Sequence, residues 1–313
     1  MLRPHTIIGL AALALLAQDV PTLRVDVNLV NLFFSVRDKN GALVSNLTQE
    51  DFQVFEDGKP QTIRYFSRQT DLPLTLGLLV DVSRSQQNLI EIERRAATQF
   101  FAQVLRSKDL AFLISFGSEV ELLQDLTSSP KLLSRALEGL RVNSAPVGIH
   151  PGPVPTASKP KGTLLYDAIY LAATEKLKNE TGRKALILIT DGVDQGSHYS
   201  REEAINAAHR ADAIIYSIEY YDPGAYAFLG GGGGGATLKR LAQETGGRAF
   251  KVDRKNTLEA IFKQIDEELR SQYSLAYSPT NAARDGSFRH IEVRTRHKDY
   301  KVQVRRGYFA PTN

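Results

Sequence analysis

Three short segments of this 313-residue chain carry side-chain oxygens at spacings that suit a hard cation: Asp81-Val82-Ser83-Arg84-Ser85, Thr163 and Asp191-Gly192. Two carboxylates and three hydroxyls provide no soft donor. Such a set suits Mg²⁺, with Ca²⁺ or Mn²⁺ possible, rather than zinc. Each residue taken alone has a simpler use: Ser83 and Ser85 can cap a helix, and Asp191 can start a turn. The five together, each where a strand should end or a helix begin, favour the metal reading.

The elements that position them can be read from hydrophobic patterning. Residues 74–80 are a continuous apolar run, the pattern of a parallel strand buried on both faces, and the run stops at Asp81. Ile90, Ile92, Ala96, Ala97, Phe100, Phe101 and Val104 then recur at roughly helical spacing, so Asp81, Ser83 and Ser85 occupy a strand-to-helix turn. Residues 185–189 form a second buried run, which also ends in an acid, at Thr190-Asp191-Gly192. Thr163 opens a helix predicted over residues 164–177. Ligand sites in open α/β sheets lie beyond the carboxyl ends of the strands, so two strands ending in Asp converge on one point.

At these residues the chain resembles the von Willebrand factor A (VWFA) domain and its metal-ion-dependent adhesion site. The pattern of that family is Asp-x-Ser-x-Ser, then a loop threonine, then an aspartate in a Thr-Asp-Gly-like setting. Here it reads Asp81, Ser83, Ser85, Thr163 and Asp191, with no member missing, and the resemblance covers about residues 72–270. It implies that the serines and the threonine coordinate through hydroxyls and that the aspartates bind directly or through water. It also implies an open coordination position for a carboxylate from a protein partner. A cation that keeps some water in an octahedral shell fits this.

Outside that span the chain reads as strands. Residues 31–36, 52–55 and 62–66 are punctuated by the turn signals Lys39-Asn40-Gly41, read as a hairpin, and Asp57-Gly58. At the other end, residues 273–277 are strand-like, Ile291, Val293 and Thr295 alternate with charged residues, and Val302 and Val304 repeat the alternation. The expected architecture is a doubly wound, mostly parallel α/β sheet (72–270) inserted in a small β-sandwich made by the two ends (18–71 and 271–313). Val36-Arg37-Asp38-Lys39-Asn40-Gly41, the segment 51–58 and the segment 305–311 look like the exported VWFA-related proteins of acidobacteria, a family with no firmly assigned activity.

Composition sets limits. At 42% hydrophobic and 24% charged residues, the chain can bury a sizeable core without staples. The absence of cysteine rules out disulfides, thiolate metal sites and cysteine nucleophiles. A net charge of +4 does not argue for nucleic acid, and no RNA-binding aromatic motif accompanies the basic residues. A basic start at Arg3, a short apolar core over residues 7–17 and a polar Gln18-Asp19 read as a secretory signal, with cleavage expected after Ala17. The expected location is periplasmic or extracellular.

Three loops should surround the metal edge: 141–162, 192–200 and 222–235, the last with six glycines from Gly230. That run lacks the Lys-Ser/Thr ending of a phosphate loop and reads first as a flexible linker, second as a flap. Arg84, His150, Lys159, Lys161 and His198 lie in or beside these loops. The leading functional expectation is a binding module, not an enzyme. The alternatives are a metal-assisted hydrolase, which would need His198 as a base near the ion, and a structural envelope protein with an idle site. The C-terminal strands carry Arg289, Arg294, Arg296, Lys298, Lys301, Arg305 and Arg306, read as a basic outer sheet face that blunts an edge or meets an anionic surface.

Overall fold

A run of seven apolar or neutral residues such as 74–80 suits a strand covered on both sides, and this is how the middle of the chain is built. The computed structural model describes residues 29–68, 72–143, 162–221 and 233–312. The expected signal segment, the proline-rich stretch 144–161 with His150, Lys159 and Lys161, and residues 222–232 with Tyr226 and the first glycines of the run lie outside them.

Strand β5 (Leu74–Asp81) and strand β8 (Arg183–Thr190) are buried at every position. They lie side by side in parallel, Val80 opposite Ile189, at the centre of a six-stranded sheet. On one side come β6 (Leu110–Phe116) and the antiparallel edge strand β7 (Val120–Thr127); on the other come β9 (Ala213–Glu219) and β10 (Ala249–Lys251). Side chains alternate between two helical layers, as strand geometry requires. Leu76, Leu78 and Val80 pack with α1 (Ile90–Val104), α2 (Pro130–Leu137) and α6 (Leu258–Arg270). Leu79, Leu186 and Leu188 face α3 (Leu165–Leu171), α4 (Arg201–Arg210) and α5 (Gly235–Thr245). Each such leucine contributes roughly 1.5–3 kcal/mol of burial. At Gly77 side chains of the two neighbouring strands fill the space a Cβ would need. A Cβ there would lie 2.3 Å from the Phe112 ring and 2.6 Å from Leu186.

The chain ends form the sandwich. One sheet has the order β13 (Lys301–Gln303), β1 (Val30–Arg37), β11 (Tyr273–Tyr277), β4 (Ile63–Arg68). The other has β14 (Gly307–Phe309), β12 (Phe288–Thr295), β2 (Phe52–Glu56), β3 (Lys59–Gln61). Leu32, Phe34, Val54, Tyr273, Leu275 and Ile291 fill the space between them. Glu56, 2% exposed, crosses that core to accept the hydroxyls of Tyr277 (2.7 Å) and Tyr308 (3.0 Å).

Sandwich and α/β unit meet on one carboxylate. Glu268 of α6 is fully buried and accepts from Ser35, Tyr216 and Gln303 on one oxygen, at 3.2, 3.1 and 2.7 Å. Its other oxygen takes Arg37 at 2.5 Å and Arg248 at 3.3 Å. Ser35, Arg37 and Gln303 belong to the sandwich; Tyr216 and Arg248 belong to the inserted unit.

Some local expectations change. The Lys39-Asn40-Gly41 turn does not join two ladder strands. Asp38 accepts the amides of Asn40 and Ala42, a single bridge pairs Arg37 with Leu43, and β1 finds its ladder partners in β11 and β13. The helix expected over 164–177 is α-helical only to Leu171 and continues as a π-helical stretch, Ala172–Leu177. Asp57-Gly58 does form the β2–β3 turn, with positive φ at both residues (47° and 76°) as a two-residue hairpin of this hand needs.

Candidate metal centre

After β5 the chain turns to one helical layer by α1; the connection into β8 comes from the opposite layer, through α3. The crevice between the carboxyl ends of these neighbouring strands is therefore the point where the winding reverses, the usual ligand position in such sheets. Asp81 is the last residue of β5, and Asp191 follows directly on β8.

Four of the five expected residues form one hydrogen-bonded chain there. Ser85 Oγ donates to Asp191 Oδ2 at 2.7 Å, and Ser83 Oγ lies 3.1 Å from Ser85 Oγ. Asp81 Oδ1 accepts the Ser83 amide at 2.9 Å, and Asp191 Oδ1 accepts the Val193 amide at 2.9 Å. Asp81, Ser83 and Asp191 are buried, and Ser85 is the partly open member. Thr163 stands at the same edge, 6% exposed. Its backbone pairs with Gln195 in the loop after Asp191, and the next amide, Leu164, donates to Gly117 just beyond β6. Among the described residues its hydroxyl makes no hydrogen bond to the other four.

The capping alternative for the serines fails on geometry. Ser83 precedes a short 3₁₀ turn, Arg84–Gln86, yet its side chain caps no amide, and α1 is preceded by Leu89 with no side-chain cap. The serine hydroxyls face the carboxylates instead. The turn-forming role of Asp191 is real, but it occupies only one of its two oxygens.

Among the described residues, hydroxyls and backbone amides are the groups hydrogen-bonded to the two carboxylates. Burial, and then the neighbouring Asp191 charge, push the Asp81 carboxyl up to about 7, against the hydrogen bonds from Ser83 and Thr190 that favour its ionised form. Glu93, on the first turn of α1, is fully buried with neither carboxylate oxygen hydrogen-bonded. Burial, with the Asp81 charge second, raises it well above the usual carboxylate range. Oxygen donors around two crowded carboxylates are the donor chemistry of a Mg²⁺-type ion. Among the described residues no three His, Cys, Asp or Glu side chains converge on a metal position; this cluster has two carboxylates and relies on hydroxyls for the rest.

Three participants were not singled out from sequence. Thr190 donates to Asp81 Oδ2 at 2.6 Å and accepts the Gly192 amide at 3.0 Å, tying the two strand ends together; its signal was its place just before the second acid. Glu93 falls on the buried stripe of α1 with Ile90, Ala97 and Phe101, where a charged residue is out of pattern. The described end of the glycine run is not a loose linker. Gly234 donates its amide to Asp191 O at 2.7 Å, and a Cβ on it would lie 1.8 Å from Gly192 O. No side chain other than glycine's permits that approach.

Of the rim, Arg84 is exposed beside the serines. His198 is directed to α3: its Nδ1 lies 2.9 Å from Asp167 Oδ2, and its amide donates to Asp167 Oδ1. Among the described residues no helix is long and apolar enough to cross a membrane.

No family model and no curated protein sequence matches this chain. Solved structures do resemble it. BatB from Bacteroides thetaiotaomicron is 19% identical, with a TM-score of 0.46, over 63% of this chain and 97% of that one. The vWF domain of the type V pili tip protein Mfa5 from Porphyromonas gingivalis is 13% identical, with a TM-score of 0.47, over 63% of this chain and 95% of that one. Proximal thread matrix protein 1 from the mussel byssus, in a structure with a zinc-occupied MIDAS motif, is 14% identical, with a TM-score of 0.49, over 69% of this chain and 50% of that one. These likenesses are distant and concern the fold alone.

Proposed function

We propose that this protein is an exported, metal-dependent interaction module of the VWFA-related kind. Asp81, Ser83, Ser85, Thr163 and Asp191 would hold a Mg²⁺-type cation, with Ca²⁺ or Mn²⁺ as substitutes, whose open position takes a carboxylate from a protein partner. The bound ion supplies a positive charge that can be shared between the cage and that acid. One observation carries the reading: Asp81 is buried beside Asp191, and the serine hydroxyls that could have served as caps are turned on this pair instead. A divalent ion removes the repulsion that the fold tolerates without it. Binding, not hydrolysis, is favoured because both serines are engaged with each other and with Asp191, and among the described residues neither hydroxyl is hydrogen-bonded to His198, so no nucleophile is paired with a base.

Calorimetric titration of Mg²⁺ into the protein should give one site. Asp81→Ala should abolish it while leaving the far-ultraviolet dichroism unchanged, since the residue sits at a sheet edge. Unchanged Mg²⁺ affinity in the variant would refute the site. Partner capture should then depend on the ion, present with Mg²⁺ and lost with chelator.

A further inference from the structure

The joint between sandwich and inserted unit contains a cavity of about 640 Å³ that shares no residue with the proposed metal centre. Its lining is strongly one-signed. Arg37, Lys39, Lys301 and Arg306 reach it from the sandwich, and Lys239 and Arg248 from α5 and the approach to β10. Among the described residues two acids line it, and both have hydrogen-bond partners outside the set of cleft cations. Asp38 Oδ1 accepts the amides of Asn40 (2.8 Å) and Ala42 (2.9 Å). Glu292 makes a two-pronged pair with Arg294, both contacts at 2.7 Å.

Two of the cations, Arg37 and Arg248, share the single carboxylate of the buried Glu268, and among the described residues Arg37 Nε is buried without a hydrogen-bond partner. Lys39, Lys239 and Lys301 form no ion pair among the described residues. This explains why the basic C-terminal residues divide in two. Arg289, Arg294 and Arg305 are each paired with acids, at Asp285, Glu292 and Asp212, whereas Lys301 and Arg306 turn into the cleft. A solvated basic face would spread its charges apart; here six converge on one concavity from two units of the fold, where like-signed walls focus the field on an incoming counter-charge.

We propose that this cleft binds a small, multiply charged oxyanion carrying two or more phosphate groups, which bridges the sandwich and the α/β unit. The cavity is within the size range of small-molecule sites, too small for a folded partner. One charge would leave most of the cations unmatched, so the ligand carries several. Arginine forks and lysine ammoniums suit phosphate oxygens.

The test is calorimetry on the full chain without metal, using inorganic tripolyphosphate and orthophosphate as probes. Tripolyphosphate should saturate one site per chain, with affinity falling as salt rises, and orthophosphate should bind at least about tenfold more weakly. The double variant Lys239→Gln/Lys301→Gln should weaken tripolyphosphate by about tenfold or more, with an unchanged dichroism spectrum. Lys108→Gln/Lys131→Gln, which removes two exposed lysines elsewhere, should leave binding as it was. Absence of saturable binding, equal affinity for the two probes, no effect of the cleft variant, or equal effects of the two double variants would each overturn the proposal.

Discussion

Asp81→Asn should make the metal-free protein more stable at pH 8 and hardly change it at pH 4. The folded Asp81 carboxyl releases its proton at about 7, against 3.8 for an ordinary aspartate. A carboxyl whose folded value is raised keeps its proton longer in the folded state. Its contribution to stability is therefore full below 3.8, is lost progressively as pH rises towards 7, and is flat above. At about 1.4 kcal/mol per pH unit, that loss reaches about 4 kcal/mol by pH 8. Asparagine carries no charge and avoids it. The amide oxygen still accepts from the Ser83 amide, but its NH₂ then faces Thr190, whose hydroxyl loses its acceptor, at a cost of about 1 kcal/mol.

The net expectation is a gain of about 2–3 kcal/mol at pH 8, which for an α/β unit of this size is a rise of about 5–10 °C in Tm. At pH 4 the gain and the cost nearly cancel. The chain has no tryptophan, so dichroism is the convenient readout. Saturating Mg²⁺ should then close the gap by stabilising only the parent protein, by about 2.7 kcal/mol when the ion is present at a hundred times its Kd. A variant less stable than the parent at pH 8 in chelator, or a difference that is the same at both pH values, would show that Asp81 is a satisfied turn residue and that no charge deficit exists there.

Two further changes probe the supports of the site. Glu268→Gln removes the charge that five donors share at the joint, and should cost about 3–5 kcal/mol, read as a lower urea midpoint; a midpoint within error of the parent would mean that the joint is held elsewhere. Gly234→Ala places a Cβ within 1.8 Å of Gly192 O and must move the start of α5 off Asp191. Mg²⁺ affinity should fall by about tenfold or more, as for other groups that orient a ligand from behind, and calorimetry giving the parent value would remove the glycine contact from the site.

Patterns set by neighbours in sequence were legible; pairings across it were not. Residues 74–80 and 185–189 read as buried strands because each is an apolar run ending in an acid, and both are buried throughout. Once these two strands lie side by side, Asp81 and Asp191 have to meet. The Lys39–Gly41 turn does reverse the chain, with an antiparallel bridge from Arg37 to Leu43, but the ladder partners of β1, more than 230 residues away, left no mark in the local sequence. Loop-like composition hid the role of Gly234, since what demands glycine there is the backbone of Gly192, distant in sequence. The basic C-terminal residues could not be sorted into paired and unpaired for the same reason: Asp212, which takes Arg305, lies in the inserted unit.

The buried carboxylates described here fall into two groups, and the contrast bears on the proposed metal centre. Glu268 is surrounded by five donors, and Glu56 by two tyrosine hydroxyls; each is inside the fold because its charge or dipole is answered there. The fold therefore has the means to satisfy an internal acid and uses them where the role is to hold elements together. At the carboxyl edge of the central sheet it does otherwise. Among the described residues no cationic side chain is hydrogen-bonded to Asp81, which lies beside Asp191, and neither carboxylate oxygen of Glu93 has a hydrogen-bond partner. Replacing Asp81 by asparagine or Glu93 by leucine would relieve the fold at no cost to its packing layers. Residues that weaken the structure they sit in, in a crevice where the winding reverses, are what a ligand site needs and stability does not, and the proposed divalent cation would answer two crowded carboxylates and their hydroxyls.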